Sequence, residues 1–179
     1  MLTYPSMLAD SGCWESWIRT ASEKELVQFE RDLPLLSPGT FAQLTSQGKW
    51  KRARHLAYLD QAILEAIDQA AKNQLDGLVV SMPPQHGKSE LCSKYLPAWY
   101  LGIYPDRRVI LTSYEADFVA TWGRKARDVL ERHGGIFGVR VSKRSGAVHR
   151  WDIEGRDGGM TTAGVGGPIT GKGACVDRG

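Results

Sequence analysis

Leu78–Ser93 reads LVVSMPPQHGKSELCS, and this stretch decides how the rest of the chain is read. The apolar run Leu78–Ser81 predicts a strand, Pro83-Pro84 a loop, and Ser89–Tyr95 a helix opened by Gly87-Lys88-Ser89. That order of parts is the one a phosphate-binding loop needs. The strand anchors the loop, a glycine lets the backbone come close to phosphate, and the new helix points free N–H groups at negative charge. Lys88 has the reach for terminal phosphates, and Ser89 carries the hydroxyl that would hold Mg²⁺. Pro84, Gln85, His86, Gly87, Lys88, Ser89 and Glu90 are therefore the candidate nucleotide-binding segment, with ATP and Mg²⁺ as the expected ligands.

The spacing departs from the usual motif, which places a first glycine where this chain has Met82. A competing segment, Gly166–Gly173 (GGPITGKG), has both glycines before Lys172 but puts Gly173 where the metal-binding hydroxyl belongs. Only seven residues follow Lys172, too few for a helix to cradle phosphate. The later segment reads as a flexible turn.

The chain has 179 residues, enough for one domain with a real core. Its 42% hydrophobic and 24% charged composition is ordinary for a globular protein. A net charge of +3 permits contact with nucleic acid without demonstrating it. Cys13, Cys92 and Cys175 are too few and too scattered for a disulfide framework or a zinc site, which suggests a reducing cytosol. The N-terminal residues lack the pattern of a secretory signal, and no run of 18 apolar residues predicts a membrane span.

Ser22–Leu33 predicts a helix with a capping box, Ser22 with Glu25, broken by Pro34–Gly39. Arg54–Ala71 is the clearest helix, with Leu56, Leu59, Ile63, Ile67 and Ala70 on one face. Pro97 is expected to kink the helix after the loop or to start a new turn. Arg108–Ser113 predicts a second strand, and Glu115–His133 the helix after it. Strand–helix–strand–helix order implies parallel strands under crossover helices. Val139–Ser142, Ala147–Ile153 and Met160–Val165 predict short strands with Gly-rich turns, forming a small antiparallel appendage.

Three blocks together resemble the ATPase domain of the phage terminase large subunit, the motor that packages DNA into viral heads. They are MPPQHGKSEL, LPAWYLGIYPDRRVILTSYEADFVATWGRKARDVL and W…GGM…AGVGGPITGKGA, spanning about Trp50 to Ala174. The resemblance implies a P-loop NTPase-type α/β fold: a parallel sheet flanked by helices, with N-terminal helices and incomplete at the C-terminus. It divides the chain into an N-terminal helical region, 1–49, and a partial ATPase domain, 50–179, with the family's nuclease domain absent. It implies ATP hydrolysis with Mg²⁺ held through Ser89. The implied partners are double-stranded DNA, a terminase small subunit and a portal, with a homo-oligomeric ring in the cytoplasm of a bacterial host. His55 falls in the family's adenine-side segment, Gln85 stands where many relatives have arginine, and Tyr114 and Asp117 match the corner after the second strand.

Family members continue into an apolar strand ending in two acids that handle Mg²⁺ and the attacking water. Here the chain reads GACVDRG and ends, and Asp177 comes too early to replace them. Binding with little or no turnover, and marginal solubility from an exposed sheet edge, are therefore expected. A non-catalytic nucleotide-binding module or inert prophage remnant is the alternative, and a helicase-like ATPase a more distant one. Other features read as structural. Trp99, Tyr100, Trp122 and Trp151 are expected in the core, and Lys49, Lys51, Arg52 and Arg54 at a solvated helix start. Arg124, Lys125 and Arg127 suit pairing with Asp128 and Glu131. One of them, or Arg107 or Arg108, is a candidate arginine finger. His86 and His133 read as polar loop and helix-end residues, and Cys92 as packing beneath the loop's helix.

Overall fold

The computed structural model describes residues 20–74, 77–143 and 149–165. Its first helix, α1 (Glu23–Leu36), starts as the sequence expects, with the Ser22 hydroxyl accepting from the Glu25 amide and the Glu25 carboxylate accepting from the Ser22 amide at 2.8 Å. Pro34 does not break it. The helix runs through Pro34 to Leu36, and the interruption is the single extended residue Ser37, whose side chain then caps α2 (Pro38–Thr45). A proline in a last turn forfeits only one backbone bond, so the cap decides where the helix stops.

Helix α3 (Arg54–Ala71) buries Leu56, Leu59 and Ile63 on its predicted face, and Asp60 with them. The residues after it depart from expectation. Leu78–Ser81 forms no strand: 77–83 has no ladder partner, and Val79 is 95% exposed. A strand is stable only when a neighbour takes up its backbone groups, and no described strand pairs with this segment.

Helical structure resumes at Lys88 and continues to Ile103. Glu90–Tyr95 is a π-helical stretch, closed by the Leu96 amide donating to the Leu91 carbonyl, and α4 (Leu96–Ile103) follows with Pro97 in its first turn. Having no N–H, Pro97 is accommodated where the bonding pattern changes, so it starts a turn rather than a kink.

Strand β1 (Arg108–Ser113) and helix α5 (Ala116–His133) match the sequence reading closely. Among the described residues, the last third does not form a separate antiparallel appendage. Of the expected strands, Val139–Ser142 contributes only the isolated bridge Val141–Ile153, and Ala147–Ile153 yields β2 (Arg150–Asp152). Strand β3 (Gly159–Gly164) is central in a three-stranded mixed sheet ordered β1-β3-β2. It runs parallel to β1, from Arg108 opposite Gly159 to Ser113 opposite Gly164, and antiparallel to β2. All its residues are buried, with α5 packed on the face that carries Thr162. Trp151 reaches through this layer, its indole N–H donating to the Gly123 carbonyl of α5 at 3.2 Å.

Phe41, Leu56, Leu91, Leu101, Leu130, Trp151 and Met160 belong to one core joining α2, α3, the π-helical stretch, α4, α5 and the sheet. Trp99 and Trp151 are buried as expected, while Tyr100 and Trp122 are only half-buried. Among the described residues, no helix is long and apolar enough to cross a membrane.

Candidate functional site

The Pro84–Gly87 turn has two left-handed residues, Gln85 at φ +64° and Gly87 at φ +82°. Glycine adopts that conformation freely, whereas glutamine is held there at some cost, and such strain gathers at functional loops. Gly87 is needed for a second reason. A Cβ there would stand 3.1 Å from Leu56 Cδ1, so α3 lies directly against the turn. Beyond it the first helical bond runs from the Leu91 amide to the Gly87 carbonyl at 3.0 Å. The amides at the start of this helical run are thus presented beside the turn.

Two histidines tie the turn to α3. His86 Nδ1 lies 2.7 Å from the Pro84 carbonyl, and His55 Nε2 lies 3.1 Å from the His86 carbonyl. A carbonyl only accepts, so both ring nitrogens carry protons in these contacts. His86 thereby shapes the turn, a more particular role than a polar loop residue. The tertiary structure places His55 beside the loop.

A cavity of about 580 Å³ opens between the turn and the segment leading into α3. Lys49 and Lys51 line one wall, Gln85, His86 and Gly87 another, and Trp50 and Tyr95 meet edge to face at 6.4 Å. Glu90 and Lys94 complete it, paired at 2.9 Å one turn apart. Burial alone would lower the Lys94 ammonium's pKa, but hydrogen bonds to Glu90 and Tyr95 lift it above the ordinary lysine value. The Glu90–Lys94 pair is neutral overall, so the positive charge of the cavity comes from Lys49 and Lys51. Lys88 and Ser89 are half-buried on the helical run and do not line it. Lys88 makes no ion pair with any described residue.

Lys49, Lys51, Arg52 and Arg54 are exposed at the start of α3, as the sequence reading expects. Arg52 reaches the Asp60 carboxylate at 3.3 Å, and the Trp50 amide donates to Ser46 Oγ at 3.0 Å, which anchors the segment on either side of Lys51. Sequence reasoning missed Asp60, although an acid on the apolar stripe between Leu59 and Ile63 was a readable signal.

Cys92 lies half-buried behind the loop and faces a second, apolar groove of about 370 Å³ with Ile63, Ile67 and Leu96. Burial pushes its thiol above the ordinary value, with nearby Lys88 opposing. Tyr114 is exposed, and Asp117 sits in the first turn of α5. Arg108 contacts Asp152 at 3.4 Å, Arg127 pairs with its neighbour Asp128 at 3.1 Å, and Lys125 sits over the Trp122 ring at 4.0 Å. His133 packs edge to face on Phe41 at 6.4 Å. Gly166–Gly173 and Asp177 lie outside the described residues.

The glycine turn and the helix start are parts that a triphosphate site uses, and the adjoining cavity has the volume of a small-molecule site, but Lys88 and Ser89 do not line that cavity and no strand precedes the turn. No group of three His, Cys, Asp or Glu side chains that could hold a metal is found among the described residues. Mg²⁺ would therefore take the Ser89 hydroxyl, phosphate oxygens and water as ligands, as this ion commonly does. Comparison of the chain with protein-family models, with curated proteins and with solved structures gives no match.

Proposed function

We propose that this chain is the nucleotide-binding part of a DNA-packaging motor of the terminase large-subunit kind, built on a P-loop NTPase-type fold. ATP binds across the Pro84–Glu90 segment, with Lys88 on the terminal phosphates, Ser89 on Mg²⁺ and His55 on the adenine side. Double-stranded DNA, a small subunit and a portal are the partners this reading entails, in a ring of identical subunits. The observation that carries it is the Gly87 turn, at φ +82°, leading directly into a helical run and flanked by a cationic cavity.

A second reading, nucleotide binding without turnover, is favoured by one feature of the cavity. Glu90 is the only carboxylate among its described lining residues, and Lys94 holds it at 2.9 Å. Phosphoryl transfer relies on positioned metal and a group that orients water, and an ion-paired glutamate does neither well. Titration of a fluorescent ATP analogue against the wild type and Lys88→Ala tests the shared premise, and equal affinity overturns it. Phosphate release from bound ATP then separates the two readings: measurable turnover supports the motor, and none supports the binding module.

A further inference from the structure

Tyr114, just before α5, and Phe118 and Trp122 on it form a row of aromatic rings, none of which lines the cavity. Tyr114, 78% exposed, stacks on Phe118 with centroids 6.1 Å apart and planes 23° apart. Phe118, 45% exposed, meets Trp122 at 6.4 Å, and Lys125 sits 4.0 Å over the Trp122 ring. Phe118, Trp122, Lys125 and Arg132 fall on one stripe of a helix with about 3.6 residues per turn. The acids Asp117, Asp128 and Glu131 fall on the other flank by the same spacing. Both charged residues of the stripe are thus cations, and Asp128 is engaged by Arg127 at 3.1 Å.

Exposed rings of this size are usually buried, and nothing in the described core uses Tyr114 or Phe118. The near-parallel, exposed rings of Tyr114 and Phe118, followed by Trp122 edge-on to Phe118 and by the cations Lys125 and Arg132, match a chain that alternates flat bases with phosphates. We propose that the Tyr114–Phe118–Trp122 row is a stacking platform for single-stranded nucleic acid, with phosphates directed to Lys125 and Arg132. A duplex fits poorly, because its bases are already stacked and its faces are hidden.

The test uses the full chain and a fluorescein-labelled oligothymidylate of about twelve nucleotides, within the site size of single-strand platforms. Anisotropy should show tighter binding to this strand than to a duplex of equal length. Tyr114→Ala and Phe118→Leu should each weaken binding roughly tenfold, the scale of one lost base–ring contact. Lys125→Gln should flatten the salt dependence by about 0.7 in the log–log slope, one phosphate contact on a single strand. Phe118→Leu keeps an apolar side chain in place, so weaker binding with an unchanged unfolding midpoint reports the ring face itself. Unchanged affinity in both ring variants, a preference for duplex, or no binding by the wild type overturns the proposal. Lys88→Ala should retain strand binding, so failure of the nucleotide reading would leave this one standing.

Discussion

The carboxylate of Asp60, fully buried on α3, accepts a hydrogen bond from the backbone amide of Gly39 at 2.7 Å, and a Cβ at Gly39 would stand 2.5 Å from that same carboxylate. The Ser37 hydroxyl donates to it at 2.7 Å, and Arg52 approaches at 3.3 Å. One acid thus satisfies the start of α2 and holds the basic segment at the cavity edge. Asp60→Ala strands a buried hydroxyl and a buried amide, and is expected to cost about 3 kcal/mol. Gly39→Ala should also destabilise, since the carboxylate it crowds is fixed by its partners. Urea unfolding midpoints measure both, and a wild-type midpoint for Asp60→Ala would sink this account.

Gly123 is where α5 comes closest to the sheet: an added Cβ would collide with the Thr162 methyl group. Gly123→Ala is expected to destabilise by about 1–3 kcal/mol through overpacking. Thr162→Ser removes that methyl, so the double variant should recover part of the loss. A double-mutant cycle with no coupling between the two sites contradicts the contact.

His133 ends α5 against Phe41, and burial, with Arg132 beside it, holds its imidazole below the ordinary 6.5. The folded state therefore takes up a proton less readily than the unfolded one. Its contribution is complete above pH 6.5 and is lost as pH falls through the lower folded value. His133→Gln should flatten the fall in stability just below that pH. Parallel curves for wild type and variant, from thermal unfolding across that window, would exclude the effect.

Cys92 should alkylate more slowly than an exposed thiol, because burial raises its pKa and its side chain faces the apolar groove. Lys88→Ala removes the charge that opposes this rise, so the rate should drop further. The measurement is iodoacetamide labelling near pH 8 in a background with Cys13 and Cys175 changed to Ser. A faster rate in Lys88→Ala would show that Lys88 does not act on the thiol.

How much of this was legible beforehand follows from the range of the forces involved. The Ser22–Glu25 capping box, the buried face of α3 and the bounds of β1 and α5 were readable, because caps and periodicity act within a few residues. The glycine turn and the helix after it were readable from Gly87-Lys88-Ser89 for the same reason. The π-helical register of Glu90–Tyr95 and the survival of α1 through Pro34 were not, since each depends on what packs around the helix.

Taken alone, the sequence determined α1, α3, the helical run after the turn, α5, strand β1, β3 to within one residue, and the chemistry offered by a glycine, a lysine and a serine in a row, but it missed α2. Only the tertiary structure decided that β3 lies between β1 and β2, and that Leu78–Ser81 is left without a ladder. It also decided that His55, Lys49 and Lys51 share a cavity with Gln85 and Gly87. Strand pairing and cavity walls join residues far apart in the chain, and their stability comes from partners that no local pattern specifies.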